Sequence, residues 1–255
     1  MNNTLSSTSL AVLIPCTSNG RSEWKTITDT YLYNLTLKTF LITYNQAITN
    51  KFYIGYDEDD RIFANPSEQA KITKFLSVMK NVGVEFVSMS GVKKGHLTVM
   101  WNRLYEKAYN YGHQYFFQCG DDIDFKTKGW VDACVSTLNS HDDVGLTGPI
   151  NNNNRILTQS FVSRKHMEIM GYFFPPEIIN WCCDDWINEV YKPNHFYPAM
   201  SHFCSNDGGA ERYTINNNPG FKNNIISYQT NTIQLRKSIL PLINRDKTKI
   251  SSPSV

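Results

Sequence analysis

Short apolar runs alternate with segments of helical periodicity through the first half of this 255-residue chain. The runs at about residues 10–15, 51–56, 84–89 and 115–119 each predict a buried strand. Strands that alternate with amphipathic helices predict a doubly wound α/β sheet, which binds ligands at the carboxyl ends of its strands. The polar and charged loops of this half follow the strands, so we expect a functional site there.

The helical periodicity predicts helices over about residues 23–41, 67–80 and 97–111. After about residue 145 the alternation gives way to a mixed region that predicts fewer elements clearly. A chain of this length favours one domain over two. We therefore predict a single domain over residues 1–243, with two halves that meet near residue 145, and a flexible tail over residues 244–255.

Composition excludes several classes of protein. Hydrophobic residues make up 41% of the chain, which excludes a disordered or fibrous protein, and the net charge of +2 provides no general field for nucleic acid or anionic membranes. The six cysteines lack the paired spacing of a zinc site, which favours a reducing compartment. Because neither a signal peptide nor a membrane span is apparent, we expect a soluble, cytoplasmic protein with no nucleic-acid partner.

Three aspartates, Asp121, Asp122 and Asp124, follow the apolar run at 115–119 directly. Carboxylates this close repel one another unless a cation or hydrogen bonds neutralise them. Mg²⁺ and Mn²⁺ typically take one or two protein carboxylates together with water and substrate phosphates. A solvated turn with one aspartate capping a helix is the alternative, but the position at the end of a predicted strand favours a metal site.

Two further loops carry charge at predicted strand ends. Asp57 lies nearest the strand in the acidic loop 57–60, where it can accept hydrogen bonds from a base or a ribose. Lys94 belongs to the basic loop 93–96, which opens a helix whose free N–H groups favour phosphate. Ordinary soluble surface is the alternative for both loops.

The pair Asp184 and Asp185 stands at the predicted start of a helix, between Trp181 and Trp186. Tryptophan faces pack on sugars, and a partly buried carboxylate has a raised pKa suited to a general base. Helix capping is the alternative. His202 precedes a glycine-containing loop and is a candidate metal ligand, although a lone histidine is more often structural.

The order of these segments resembles the GT-A glycosyltransferases, in particular the inverting family two, and the second half of the chain is similar to small viral glycosyltransferases. The segments that carry this resemblance are residues 12–15, 52–57, 94–95 with Asn102, 120–124, 163–164 with 171–173, and 184–185. The resemblance implies a mixed, mostly parallel, Rossmann-like sheet flanked by helices. It also implies a nucleotide-sugar-binding half at about 11–145 and an acceptor-facing half at about 146–243.

The resemblance implies an enzyme that moves a sugar from a UDP- or GDP-type donor to a hydroxyl of a glycan or glycoprotein, with inversion. The residues implied to bind the nucleotide sugar are Pro15, Thr17, Asp57, Lys94, Asn102, Asp121 and Asp122. A viral member would act in the host cytoplasm. The oligomeric state is left open.

The acidic turn corresponds to the DxD-type metal site of such enzymes, which use Mn²⁺ or Mg²⁺. Asp122 and Asp124 match the DxD spelling, with His202 as a further ligand, whereas the family's aligned run points to Asp121 and Asp122. The family's Glu-Asp pair appears here as Asp184-Asp185, with Asp185 slightly favoured as the base that deprotonates the acceptor.

Two other functions are compatible with this sequence. A nucleotidyltransferase that makes sugar nucleotides shares an α/β fold and metal carboxylates, but residues 17–21 supply only a fragment of its glycine-rich loop. A non-catalytic carbohydrate-binding protein of the same fold is the third reading. Replacing Asp122 and Asp185 would leave the binding of such a protein intact.

Overall fold

A computed structural model describes residues 8–153, 155–209, 212–217 and 225–251 of the chain. Its strands form one mixed sheet in the order β3-β2-β1-β4-β7-β6-β8-β5. The strands are β1 Ser9–Cys16, β2 Thr49–Tyr56, β3 Val82–Ser88, β4 Tyr115–Gln118, β5 Ile123–Phe125, β6 Leu146–Ile150, β7 Ser160–Ser163 and β8 Phe196–Asn206. This is the mixed, helix-flanked α/β fold class that the sequence predicts.

Helices cover the two faces of this sheet. They are α1 Lys38–Thr43, α2 Pro66–Leu76, α3 Leu97–Tyr111, α4 Trp130–Asn139, α5 Lys165–Met170, α6 Cys183–Tyr191, α7 Ile225–Ser238 and α8 Leu240–Ser251. The bounds predicted for α3 are confirmed, because Met100, Trp101, Leu104 and Ala108 of its apolar stripe are buried and Gly112 ends it in a left-handed conformation. None of these helices in the described part of the chain has both the length and the apolar character of a membrane span.

The predicted helix at 23–41 is instead broken into three pieces. A 3₁₀ turn at Ile27–Asp29 and a π-helical stretch at Leu32–Leu37 precede α1. The wider π turn places the Thr36 hydroxyl where it accepts the backbone N–H of Ile123 at 2.9 Å, and Thr39 accepts that of Phe125 at 3.1 Å. The irregular helix therefore fastens β5, the strand that follows the acidic turn.

The core consists of two apolar layers, one on each face of the sheet. Strand β1 contributes to both because its side chains alternate: Leu10, Val12 and Ile14 join one layer, and Ala11 and Leu13 join the other. All six cysteines are buried and free. A strand buried on both faces is continuously apolar, which is why β1 could be predicted from its sequence.

The strand order creates a crevice between β1 and β4. Strand β1 pairs in parallel with β2 on one side and with β4 on the other. The chain leaves β1 towards β2 and β3, then crosses back through α3 to β4, so the connections run in opposite directions on the two sides of β1. Ligands of open α/β sheets bind at such a switch point, outside the carboxyl ends of the strands.

The C-terminal stretch differs from the expected flexible tail. Residues 240–251 form helix α8, which buries Ile243 and Ile250 and packs against α6. Asp246 is fully buried between Arg245 and Lys249, each within 2.9 Å of its carboxylate. Within the described part of this stretch, Lys249 pairs with Asp246 and Ser251 is exposed.

Candidate functional site

A cavity of about 850 Å³ opens at the switch point. Its walls come from the ends of β1 and β4, the start of α6, the loop before β7, the end of β8 and helix α7. The polar residues that line it include Thr17, Gln118, Asp121, Asp122, Asn152, Asn153, Arg155, Gln159, Asn180, Asp184, Asp185, Asn206, Arg212, Tyr213, Gln229, Thr232 and Arg236. The volume is in the range of cavities that enclose a cofactor or small substrate.

The loop after β1 is held rigidly beneath this cavity. The Asp60 carboxylate accepts hydrogen bonds from the Thr17 hydroxyl at 3.1 Å and from the Ser18 backbone N–H at 2.6 Å. Pro15 and Thr17, both predicted to contact the nucleotide, lie on the cavity wall. Asp60 thus fixes the conformation of the loop after β1 by hydrogen bonds to Thr17 and Ser18.

Asp121 is fully buried at the end of β4, against the guanidinium of Arg212. Both terminal nitrogens of Arg212 donate to this carboxylate, with Nη1 2.7 Å from Oδ2. Burial raises the pKa of Asp121, and the charge and hydrogen bonds of Arg212 oppose that rise. The pair is a bidentate ion pair, the geometry that compensates a buried carboxylate best.

Asp122 follows Asp121 and is packed between two glycines. A Cβ at Gly120 would lie 2.5 Å from Oδ1 of Asp122, and a Cβ at Gly208 would overlap the same side chain. Its contact with Arg212 is long, at 3.7 Å. Burial, and then repulsion from Asp121, raises the pKa of Asp122 to about 6. Asp122 is therefore a desolvated carboxylate on the cavity wall that lacks a close cationic partner among the described residues.

The other two predicted metal ligands lie elsewhere. Asp124 occupies the middle of β5, with its side chain paired to Lys126, and His202 lies on β8 beside Gly129. Neither is among the described residues that line the cavity. No group of three or more histidine, cysteine, aspartate or glutamate side chains is arranged for a metal within the described ranges. Of Asp122, Asp124 and His202, the structure brings only Asp122 to the cavity, which Asp121, the alternative partner of Asp122, also lines.

Asp57 ends β2 as predicted, but its carboxylate is covered. It is 6% exposed and accepts a hydrogen bond from the Tyr213 hydroxyl at 2.9 Å. Burial raises its pKa, while the hydrogen bond from Tyr213 lowers it. Tyr213 lies on the cavity wall and Asp57 does not, so the tyrosine separates Asp57 from the open space.

Lys94 and Asn102 are not brought to the cavity either. Lys94 forms an exposed ion pair with Asp59 at 2.7 Å. The Asn102 side chain accepts the backbone N–H groups of Phe173 and Phe174, at 3.0 and 2.8 Å, and donates to the carbonyl of Phe174. Asn102 therefore holds the loop before α6 in place.

Asp184 and Asp185 begin α6, as the sequence predicts, and both line the cavity. Oδ1 of Asp185 accepts from Arg155 at 2.6 Å and from Arg236 at 3.1 Å. Asp184 has no ion pair among the described residues, and part of its side chain stays on the cavity surface. Burial, with repulsion from Asp185 second, raises the pKa of the Asp184 carboxyl to about 6.

The two tryptophans beside this pair have different roles. Trp181 lines the cavity, and its ring meets that of Tyr228 on α7 edge to face, with centroids 5.4 Å apart. Trp186 is fully buried and packs near Phe174. The two tryptophans therefore do not face each other across a pocket, and Trp181 packs with Tyr228 on the cavity wall instead.

Sequence reasoning missed the residues that the second half contributes. Arg212 and Tyr213 reach the ends of β4 and β2, while Arg155 and Arg236 reach Asp185. Each is separated from its aspartate by 30 to 156 positions. No local pattern marks them, because isolated arginines and tyrosines occur throughout the chain.

No protein-family model and no curated protein matches this sequence. The fold is similar to solved structures of GT-A-type glycosyltransferases. S. aureus TarS 1-349 in complex with UDP-GlcNAc is 12% identical, with a TM-score of 0.54 that covers 80% of this chain and 60% of that chain. A second structure of S. aureus TarS 1-349 is 11% identical, with a TM-score of 0.53 and coverages of 95% and 88%. GalNAc-T7 with UDP, GalNAc and Mn²⁺ is 11% identical, with a TM-score of 0.56 and coverages of 87% and 47%.

Proposed function

We propose that this protein is a glycosyltransferase that moves a sugar from a nucleoside-diphosphate sugar to an acceptor hydroxyl, with inversion at the anomeric carbon. The observation that carries the proposal is the presence of two acidic pairs, Asp121 with Asp122 and Asp184 with Asp185, on the wall of one cavity at the switch point. One pair suits the charged end of a nucleotide sugar, and the other suits proton transfer. The glycosyltransferase fold and the 850 Å³ cavity support this assignment.

Asp122 is the residue best suited to hold a divalent cation. It is a desolvated carboxylate on the cavity wall, burial and then repulsion from Asp121 raise its pKa, and its contact with Arg212 is long, at 3.7 Å. Mg²⁺ and Mn²⁺ accept one protein carboxylate when phosphate oxygens and water complete the shell. When bound, such an ion would stabilise the charge that develops on the departing diphosphate. Thr17 and Pro15 then border the nucleoside, with Asp57 beyond Tyr213.

We assign the general base to Asp184 and not to Asp185. A base needs a pKa near the working pH and access to the acceptor. The pKa of about 6 gives Asp184 the first property, and its place on the cavity surface gives it the second. The charge of Asp185 is held by Arg155 and Arg236, so Asp185 acts by raising the basicity of Asp184 and by fixing those arginines.

The reaction is then a single displacement. Asp184 takes the proton of the acceptor hydroxyl as its oxygen attacks the anomeric carbon, and the nucleoside diphosphate leaves on the opposite face towards Asp122. Trp181 and Tyr228, with the amides of Asn152 and Gln229, provide apolar faces and hydrogen bonds of the kind that bind a glycan acceptor.

A screen of nucleotide sugars tests the proposal. The purified protein is incubated with each UDP and GDP sugar and Mn²⁺, with and without a mixture of glycans, and released nucleoside diphosphate is measured. We expect release with one donor class, stimulated by an acceptor and lost in D184N. If no nucleotide sugar is turned over and neither UDP nor GDP binds, the proposal is wrong. Binding that persists without turnover in either protein would identify a non-catalytic binding protein instead.

A further inference from the structure

Two consecutive residues, Arg212 and Tyr213, cover two of the three carboxylates predicted to meet the nucleotide, Asp121 and Asp57. Arg212 forms the bidentate pair that leaves Asp121 fully buried. Tyr213 donates to Asp57 at 2.9 Å, and Asp57 is 6% exposed. Asp57 follows β2 and Asp121 follows β4, the two strands that flank β1. One short segment contacts both carboxylates.

Side chains from other parts of the chain hold this segment on the cavity wall by hydrogen bonds to its backbone. Asn19 donates to the carbonyl of Arg212 at 2.7 Å, and Asn180 donates to that of Thr214 at 3.1 Å. Asn180 also accepts the backbone N–H of Asn216 at 2.9 Å. The side chains of Arg212 and Tyr213 thus reach the two carboxylates from this segment, and the carboxylates are uncovered only when these side chains move away.

The chemistry of the two contacts resembles that of a bound donor. A phenolic O–H on Asp57 takes the place of a hydroxyl or N–H of a nucleoside, and a guanidinium on Asp121 takes the place of a cation beside a diphosphate. Tyr213 occupies an acceptor position of Asp57 and lies between this carboxylate and the cavity, so a nucleotide that uses Asp57 has to replace the tyrosine hydroxyl. Among the described residues, Tyr213 is the one that donates a hydrogen bond to this carboxylate.

We propose that Arg212 and Tyr213 close the donor site of the free protein, and that a nucleoside diphosphate must displace Tyr213 from Asp57 to bind. The proposal rests on the proposed function, in which Asp57 receives the nucleoside. The measured affinity is then the intrinsic affinity multiplied by the fraction of molecules in which the site is open. These two residues accordingly set how tightly the donor binds.

The test compares the binding of UDP and GDP, each with Mn²⁺, to the wild type, Y213F and Y197F by titration calorimetry. Y213F removes one hydrogen bond from the closed state and should bind the nucleotide about five- to tenfold more tightly. Y197F removes a hydroxyl that donates to the Asn194 carbonyl, away from the cavity, and should bind like the wild type. Equal or weaker binding by Y213F would overturn the proposal, because a tyrosine that contacts the donor loses affinity when truncated.

Amide hydrogen exchange of the wild-type protein provides a second measurement that needs no variant. Saturating UDP or GDP should speed exchange at residues 212–216, since their side-chain contacts to the sheet are lost. Slower exchange would mean that the segment tightens on the nucleotide, and would refute displacement. If neither UDP nor GDP binds any of the three proteins, the proposed function itself fails. Binding without the expected change in affinity or exchange refutes only the closure by Arg212 and Tyr213.

Discussion

The two acidic pairs of the cavity share one electrostatic arrangement. In each pair, one carboxylate is compensated by arginine, namely Asp121 by Arg212 and Asp185 by Arg155 and Arg236. The other member of each pair, Asp122 or Asp184, has a pKa raised to about 6 by burial and by its neighbour. The arginines therefore stabilise one charge in each pair and leave the second available to a ligand.

The pairs differ in how the compensation is built. Arg212 is itself mostly buried and binds Asp121 with two nitrogens, whereas Arg155 and Arg236 are 43% and 44% exposed and approach one oxygen of Asp185 from two elements. Because one buried arginine compensates Asp121, a ligand that binds beside Asp121 changes the surroundings of Arg212 as well. Two half-exposed arginines pair with Asp185, and part of the Asp184 side chain stays on the cavity surface where an acceptor can reach it. The difference fits the proposed function, in which the side of the cavity at Asp121 rearranges when the sugar donor binds and the side at Asp184 is ready for proton transfer from the acceptor.

The largest expected effect comes from replacing Asp184 and Asp185, one at a time, by asparagine. D184N removes the proposed base and should lower kcat by about 10³-fold while leaving UDP or GDP binding unchanged. D185N keeps that base but removes the repulsion that raises its pKa, and should lower kcat by about tenfold. Both are isosteric changes on the same helix, so each controls for the other in steady-state kinetics and in nucleotide titrations. A loss in D185N that equals or exceeds that in D184N would assign the base to Asp185.

The first pair is tested by D122N against D124N. Because Asp122 faces the cavity, D122N should lower Mn²⁺-dependent turnover by about 10²-fold, the size expected when one preorganised electrostatic group at the leaving group is lost. Asp124 pairs with Lys126 outside the cavity lining, so D124N should stay within about threefold of the wild type. Manganese titrations of both variants, with nucleoside diphosphate release as the readout, decide between them. Equal losses would restore the DxD pairing of Asp122 with Asp124.

The regions that sequence reasoning predicted well are those with local determinants. Strand β1 is apolar on both faces and α3 has a complete apolar stripe with a glycine stop, so each could be located within one or two residues. The acidic turn and the Asp184-Asp185 pair were recognisable because charge follows an apolar run or opens a helix. That both acidic pairs serve one reaction was implied only by the resemblance to GT-A glycosyltransferases, not by these local features.

The remaining features depend on contacts between distant parts of the chain. The DxD spelling favours Asp124, but in β5 Ile123 and Phe125 are buried and the alternation of a strand turns Asp124 to the other face. Arg212 reaches Asp121 across 91 positions, and its role follows only from the path of the chain after β8. Lys94 and Asn102 have the side chains and the sequence order that the resemblance to GT-A enzymes implies for nucleotide binding. In the structure, however, Lys94 pairs with Asp59, and Asn102 holds the loop before α6.

The smallest expected effect tests whether Asp122 and Asp184 carry the same electrostatic penalty in the folded protein. A carboxyl group whose pKa is about 6 when folded and about 3.9 when unfolded binds more protons in the folded state between those values, so its contribution to stability falls as pH rises through this window. Replacing it by asparagine relieves that penalty. D122N and D184N should each raise the free energy of unfolding by about 3 kcal/mol at pH 7.5 and by about 1.5 kcal/mol at pH 5, measured by urea titration.

D59N is the matched control for this measurement. Its hydrogen bond from Lys94 lowers the pKa of Asp59, so this carboxylate stabilises the fold above its unfolded pKa, and D59N should gain no stability at pH 7.5. If D184N shows the pH-dependent gain and D122N does not, a cation already compensates Asp122 in the folded protein, and the two pairs differ in charge as well as in construction. If neither variant shows it, the arginines neutralise both members of each pair. In that case Asp184 would be too weak a base for the proposed proton transfer.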